Sequence, residues 1–400
     1  MSLTQIESHA PAGKGVPLLR LGFRPFFLGA GISAVALILS WLYFLSHGAP
    51  QTPYGTIGWH AHEMIFGYTV AVIAGFLLTA AKNWTGVHTL HGPWLGMLVL
   101  LWLAGRVTPW LSLPAAAIAV IDLAFLPLLA VVLVRPILKT SQHQQLIFIG
   151  ILLVLFVANL LSHVGHLYAD GRTTAFGLRL GWMTIIFLIS VMGGRVIPFF
   201  IERGTRQVGK ITQSKVIERG SAASLLAWIL ASLVTPAAGY VAYLACLAGL
   251  FQLLRWWHWQ LRALWRVPML WILSLGYGWL PLGLFLYAYS AFTDSGTSPA
   301  IHAFTAGAIG LLTIGMMARV SLGHTGREIQ ASSALIMAFG LVTLGSLVRV
   351  IGPLVLPVMT GKSYLLIIGI AGGLWSLGFL LFVIIFFPVW SRARIDQRPG

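Results

Sequence analysis

The sequence predicts an all-α fold: a polytopic bundle of about twelve transmembrane helices in one domain spanning residues 1–400, with both termini in the cytoplasm. Composition is the first observation behind this. Hydrophobic residues make up 58% of the chain and charged residues 8%, against about 25% charge in a soluble domain. Mean hydropathy is +0.89. The other two observations are the length of the apolar runs and the sidedness of the basic residues between them. Together they exclude an aqueous globular enzyme.

Roughly 20 consecutive apolar residues cross a bilayer as a helix. Such runs fall at 21–46, 58–80, 93–112, 113–138, 145–169, 175–201, 221–235, 239–257, 266–291, 299–320, 330–356 and 363–390. Residues 1–20 form a polar tail without an apolar signal core, so the first run is expected to be retained. Short breaks at Leu113–Pro114 and near Pro236 divide the third run from the fourth and the seventh from the eighth. The runs are too long, and too free of alternation, for outer-membrane strands. Residues 202–218 are the longest polar connection, a cytoplasmic loop, and 391–400 form a cytoplasmic tail. No internal repeat is evident.

Lys and Arg accumulate in cytoplasmic loops. Of the 25 present, Arg106, Arg172, Arg179, Arg349 and Lys362 fall outside, Arg195 lies within the sixth run, and the remaining 19 fall inside. The formal charge of +16 is therefore a membrane signature. Basic residues sit between apolar runs and form no stripe with interleaved aromatics, which excludes a nucleic-acid partner. The single cysteine, Cys246, leaves no disulfide framework, Cys-based zinc site or iron–sulfur cluster. Any metal falls to the twelve histidines.

An ionisable residue inside a span is expensive and is read as functional. His60, His62 and Glu63 open the second span, His163 and His166 close the fifth, and His302 opens the tenth, all toward the outer leaflet. A lone membrane histidine is more often a helix–helix hydrogen-bonding residue than a ligand, and His166 and His258 are read that way. Coincident depth on three helices sets His60, His62, His163 and His302 apart as metal ligands. Imidazole is the expected ligand for haem iron or copper where thiolate is lacking.

The motif Trp59-His-Ala-His-Glu-Met64 carries a geometric constraint. Side chains two residues apart on a helix diverge by about 200°, so His60 and His62 point to opposite sides, which suits a helix wedged between two centres; the alternative is one ligand and one structural histidine. Glu63, beside both, is the candidate catalytic proton donor. Arg106 and Arg349 at outer helix ends suit the propionates of a haem. A second polar set, Arg24, Arg195, His324 and Arg327, lies on the cytoplasmic side and suits an anion or second cofactor. His324 is about 33 Å along a helix from His302, so the two cannot share a metal.

At these residues the chain resembles the NnrS family of bacterial polytopic membrane proteins. The elements are Gly22-Phe-Arg-Pro-Phe-Phe27, Trp59-His-Ala-His-Glu-Met64, Ala74-Gly-Phe-Leu-Leu-Thr79, Asn83-Trp-Thr-Gly86, Asn159-Leu-Leu-Ser-His163, Gly193-Gly-Arg-Val-Ile-Pro198, His302-Ala-Phe-Thr-Ala-Gly307 and Ser321-Leu-Gly-His-Thr-Gly-Arg327. The resemblance implies a multi-pass protein of the bacterial inner membrane holding haem b and copper. It further implies a role in denitrification and nitrosative stress, with nitric oxide as the ligand, an oxidoreductase activity and an unidentified electron donor. Haem–copper oxidases take histidines from their sixth and seventh helices, and the sixth and seventh runs here have none, so oxygen reduction of that kind is not expected. Two readings from other classes stand beside it: a transporter of a small anion and a non-catalytic metal-binding sensor.

Overall fold

The computed structural model describes residues 15–48, 54–236, 239–355 and 361–396, and these are helical without strands. Ser2, Gly400 and the tips of both tails lie outside the described residues. Twelve rods follow in chain order within them: α1 (Phe23–His47), α2 (Gly55–Thr85), α3 (Gly92–Val107), α4 (Ala115–Lys139), α5 (Leu146–Leu167), α6 (Gly171–Thr205), α7 (Lys215–Val234), α8 (Tyr240–His258), α9 (Pro268–Thr293), α10 (Ser298–His324), α11 (Ser333–Val355) and α12 (Gly361–Ser391). Ten are each long and apolar enough to cross a membrane; α3 and α8 fall short. With 16 residues, α3 is about 24 Å long and is extended by the Thr108–Trp110 turn.

Two expectations change here. The polar stretch 202–218 is helical at both ends, because α6 runs to Thr205 and α7 starts at Lys215; the Glu202 carboxylate accepts from the Ile211 amide at 2.9 Å and folds the link back on itself. Arg255, counted with the basic residues expected on the inside, is buried within α8. Its charge is met there by Glu218, and it also donates to the Ser190 carbonyl and the Tyr277 hydroxyl.

With no water in the bilayer core, every backbone group must be satisfied within its own helix. Packing then sorts the rods. α11 lies along α12 and α12 along α1, α5 pairs with α6, and α8 sits between α7 and α9, while α2, α6 and α10 touch one another pairwise. Of the most apolar stretch of α2, 83% is buried, against 17% in α1, so α2 is central and α1 peripheral.

The α5–α6 contact depends on Gly177, where a Cβ would lie 2.6 Å from both the Ala158 carbonyl oxygen and the Ser162 amide nitrogen. Backbone cannot yield as a side chain does. Gly177→Val is expected to push the two helices apart and cost about 1–3 kcal/mol. Denaturation in detergent reads this as a lower midpoint, and an unchanged midpoint would show that the helices tolerate separation.

Three local irregularities shape the centre. α4 breaks at Ala124, because Pro127 has no N–H to offer the Leu123 carbonyl. In α2 the segment Glu63–Thr69 is a π-helix, and in α10 so is Ala303–Ile309. A neighbouring helix donates to one carbonyl of each wide turn: Trp102 Nε1 to the Gly67 oxygen at 3.1 Å and Ser346 Oγ to the Ala306 oxygen at 2.8 Å. π-turns of this kind are rare and concentrate at functional sites. Both begin directly after a histidine, His62 or His302.

Candidate metal centre

His62 is the last α-helical residue before the α2 π-turn and is fully buried. Its Nδ1 donates to Glu63 Oε1 at 3.0 Å and its Nε2 faces Asn159 Oδ1 at 2.9 Å and Asp122 Oδ2 at 3.5 Å. Both ring nitrogens therefore meet oxygen acceptors. Such a setting is satisfied by a cation, either a second proton on the ring or a metal ion in its place. Asn159 and His163, four residues apart on α5, share a helix face. Asn159 Nδ2 donates to Asp122 Oδ2 at 2.8 Å and His163 Nε2 to the same oxygen at 3.1 Å.

Tyr54 closes the end of the site toward the start of α2. Its ring stacks on His62 with centroids 4.6 Å apart, and its hydroxyl donates to His163 Nδ1 at 3.4 Å. His166, one turn further along α5, packs edge-on against the same ring at 4.6 Å, and its buried Nε2 has no hydrogen-bond partner.

Arg106 reaches in from α3. It pairs with Asp122 through Nη2 and with Glu63 Oε2 through Nη1 at 3.3 Å. Gly67 makes room, since a Cβ there would lie 2.7 Å from Arg106 Nη1. Two buried carboxylates thus face one guanidinium, and uncompensated charge in a membrane interior is costly. The His62 cation, proton or metal, closes the balance.

One ligand atom each from His62, Asp122 and His163 lies within 4.8 Å of the others. A tetrahedral ion with bonds of about 2.0–2.1 Å has donor–donor edges of about 3.3–3.4 Å, which the 3.5 Å and 3.1 Å separations to Asp122 Oδ2 straddle. The donor set fits an ion of the copper or zinc type.

His60 points to the other side of α2. Its ring stacks on Trp41 of α1, centroids 4.4 Å apart and 20° from parallel, and its buried Nδ1 has no hydrogen-bond partner. It lies within coulombic reach of His302 and of Arg349. His302 Nδ1 donates to the Ser298 carbonyl at 2.8 Å, which leaves Nε2 with its lone pair free. Metal-ligating histidines commonly present this arrangement. Arg349 Nη2 donates to Ser298 Oγ at 3.3 Å beside them. The orphaned His60 nitrogen, the His302 Nε2 and the Arg349 guanidinium are groups that could hold a haem and one of its propionates.

Of the four histidines expected in one layer, His62 and His163 meet with ring centroids 5.2 Å apart, while His60 lies on the other side of α2 against Trp41. Arg106 is not at the rim with a cofactor carboxylate, because two protein carboxylates already hold it. Asp122 was missed by sequence reasoning, although a single carboxylate within an apolar run is itself a signal.

Of the set expected on the cytoplasmic side, Arg24, His324 and Arg327 lie near one another and Arg195 stands apart. Arg24 donates to the carbonyls of Trp390 and Arg392 at 2.8 and 2.7 Å, closing the end of α12, with Arg327 in coulombic reach. His324 Nε2 lies 3.5 Å from Asn83 Nδ2 and its ring packs near Phe23. Arg195 is exposed on the surface of α6. These contacts hold helix ends together, and Arg195 takes no part in them.

A family model described as NnrS protein matches residues 17–394. No curated protein matches the chain at a significant level.

Proposed function

Because this chain belongs to the NnrS family, we propose that it acts in the nitric oxide response of the bacterial inner membrane, where His60 and His302 would hold haem b and His62, Asp122 and His163 would hold copper. The observation that carries this reading is the division of histidines across α2, His62 with His163 on one side and His60 on the other. The haem supplies an iron that exchanges electrons, and the donor of those electrons is external.

The chain's own residues do the rest. Reduction of two nitric oxide molecules to nitrous oxide and water consumes two electrons and two protons. Glu63, in contact with His62 Nδ1 and Arg106, is placed to carry those protons. Arg106 holds the Glu63 and Asp122 carboxylates together and keeps their charge from accumulating. Tyr54 and Trp41 fix the planes of the His62 and His60 rings. Arg349 neutralises a propionate.

Haem and metal analysis of the purified protein tests the reading directly: about one haem per chain supports it and absence of stoichiometric haem overturns it. Glu63→Gln is expected to keep haem and metal while lowering turnover of nitric oxide by about a hundredfold or more. Single-turnover and steady-state assays with a reduced donor measure it, and wild-type turnover would remove Glu63 from the proton path.

A further inference from the structure

Between α2, α6 and α10 lies a cavity of about 120 Å³, lined by Ile73, Leu77, Leu188, Met192, Leu312 and Met316 among others. Protein interiors are close-packed and leave few voids larger than a water molecule. This one is also dry by chemistry. Thr69 and Thr313 supply its only side-chain hydroxyls, and both are spent: Thr69 Oγ1 on the Met64 carbonyl at 2.7 Å, Thr313 Oγ1 on the Gly310 carbonyl at 2.9 Å and on Tyr68. A water needs two to four polar partners, and apolar cavities of comparable size, about 150 Å³, stay empty and take up xenon or benzene.

Its position relates it to the ion network. Thr69, in its lining, is seven residues along α2 from His62, about 10 Å at helical rise. Phe66 lies between them along the chain. Its ring lies 5.1 Å from the His62 ring, centroid to centroid, and also rests on α6, where a Cβ at Gly181 would come 3.0 Å from it. An ion or a hydrated molecule meets no polar group on this side, whereas an uncharged diatomic dissolved in the hydrocarbon meets only apolar walls.

We propose that this cavity is a holding site for a small apolar gas, filled from the bilayer and emptying past Phe66 toward the His62 centre. It rests on the nitric oxide reading above and adds to it a supply site separate from the metal-binding histidines. The flexible Met192 and Met316 side chains suit a space whose occupant comes and goes.

Xenon is the probe, applied to the full-length protein in nanodiscs and read by xenon NMR or by diffraction from pressurised crystals. Wild-type protein is expected to bind xenon in the cavity. Val72→Phe and Leu188→Phe, which fill the space from two different helices, are each expected to abolish that binding. Both should slow nitric oxide association and dissociation alike, by about tenfold, while leaving affinity and the final amplitude unchanged, since they alter access and not the site. Two variants guard against misfolding of either one, and unchanged haem and metal content verifies folding.

Failure of xenon to enter the wild-type cavity, or an acyl chain occupying it, overturns the proposal. Xenon binding lost in both variants with nitric oxide association unaltered overturns the supply role. Xenon bound but no nitric oxide binding by wild type overturns the nitric oxide reading itself, and with it the supply role, while the cavity still holds gas.

Discussion

Asp122→Ala is expected to empty the His62 metal site and to destabilise the protein by about 3–5 kcal/mol, the cost of breaking a buried ion pair from one side. The substitution removes one of the three candidate ligands. It also strands three donors at once: Arg106 Nη2, Asn159 Nδ2 and His163 Nε2 all point at this carboxylate. A buried donor without a partner keeps its full desolvation cost. Asp122→Asn should fall between, because an amide oxygen still accepts a hydrogen bond but the charge facing Arg106 is gone. Unfolding midpoints in detergent, with metal content measured on the same samples, give the order wild type, Asn, Ala. A wild-type midpoint and metal content in Asp122→Ala would refute this account of the network.

The second large effect separates the two sides of α2. His60→Ala is expected to lose the haem absorbance and keep the metal at the Asp122 site, and His62→Ala to do the reverse. His302→Ala should copy His60→Ala, and His163→Ala should copy His62→Ala. The pairing follows from contact: His62 lies with its ring centroid 5.2 Å from that of His163, while His60 and His302 are within coulombic reach of each other. Optical spectra and metal analysis of the four variants decide it. Equal loss of both features in all four, in protein that remains folded, would mean a single shared centre.

Much of this architecture was readable from local pattern. In a membrane each helix must satisfy its own backbone, so apolar runs translate into rods with little room for alternatives, and the twelve runs correspond to α1–α12. The divergence of His60 and His62 was readable for a similar reason, since it depends only on the angle per residue of one helix. What could not be read was choice of partner between helices. Arg106 near a helix end looks like an anchor for a cofactor until Glu63 and Asp122, on two other helices, are seen to hold it. Arg255 beside Trp256 and Trp257 looks interfacial until Glu218 of α7 is found opposite it. The π-turns escaped as well, because the residues that donate to their carbonyls, Trp102 and Ser346, belong to other helices.

The π-turn in α2 also acts as a phase adjuster. A wide turn takes up one residue more than an α turn, so everything beyond Thr69 is rotated by about 100° relative to an uninterrupted helix of the same sequence. The end of α2 that carries His60 and His62 can thus be indexed to their partners while the other end is indexed to α6 and the cavity, although one continuous rod serves both. Deleting a single residue between Met64 and Tyr68 would let the turn relax to ordinary α-helix. The rod would survive that edit with its two halves still in register, because the residue removed is the one the wide turn absorbs; forcing the full-length segment into ordinary α-helix would instead leave a histidine aimed at Asp122 with a Val72 turned out of the cavity. In this helix, length and alignment are set by separate residues.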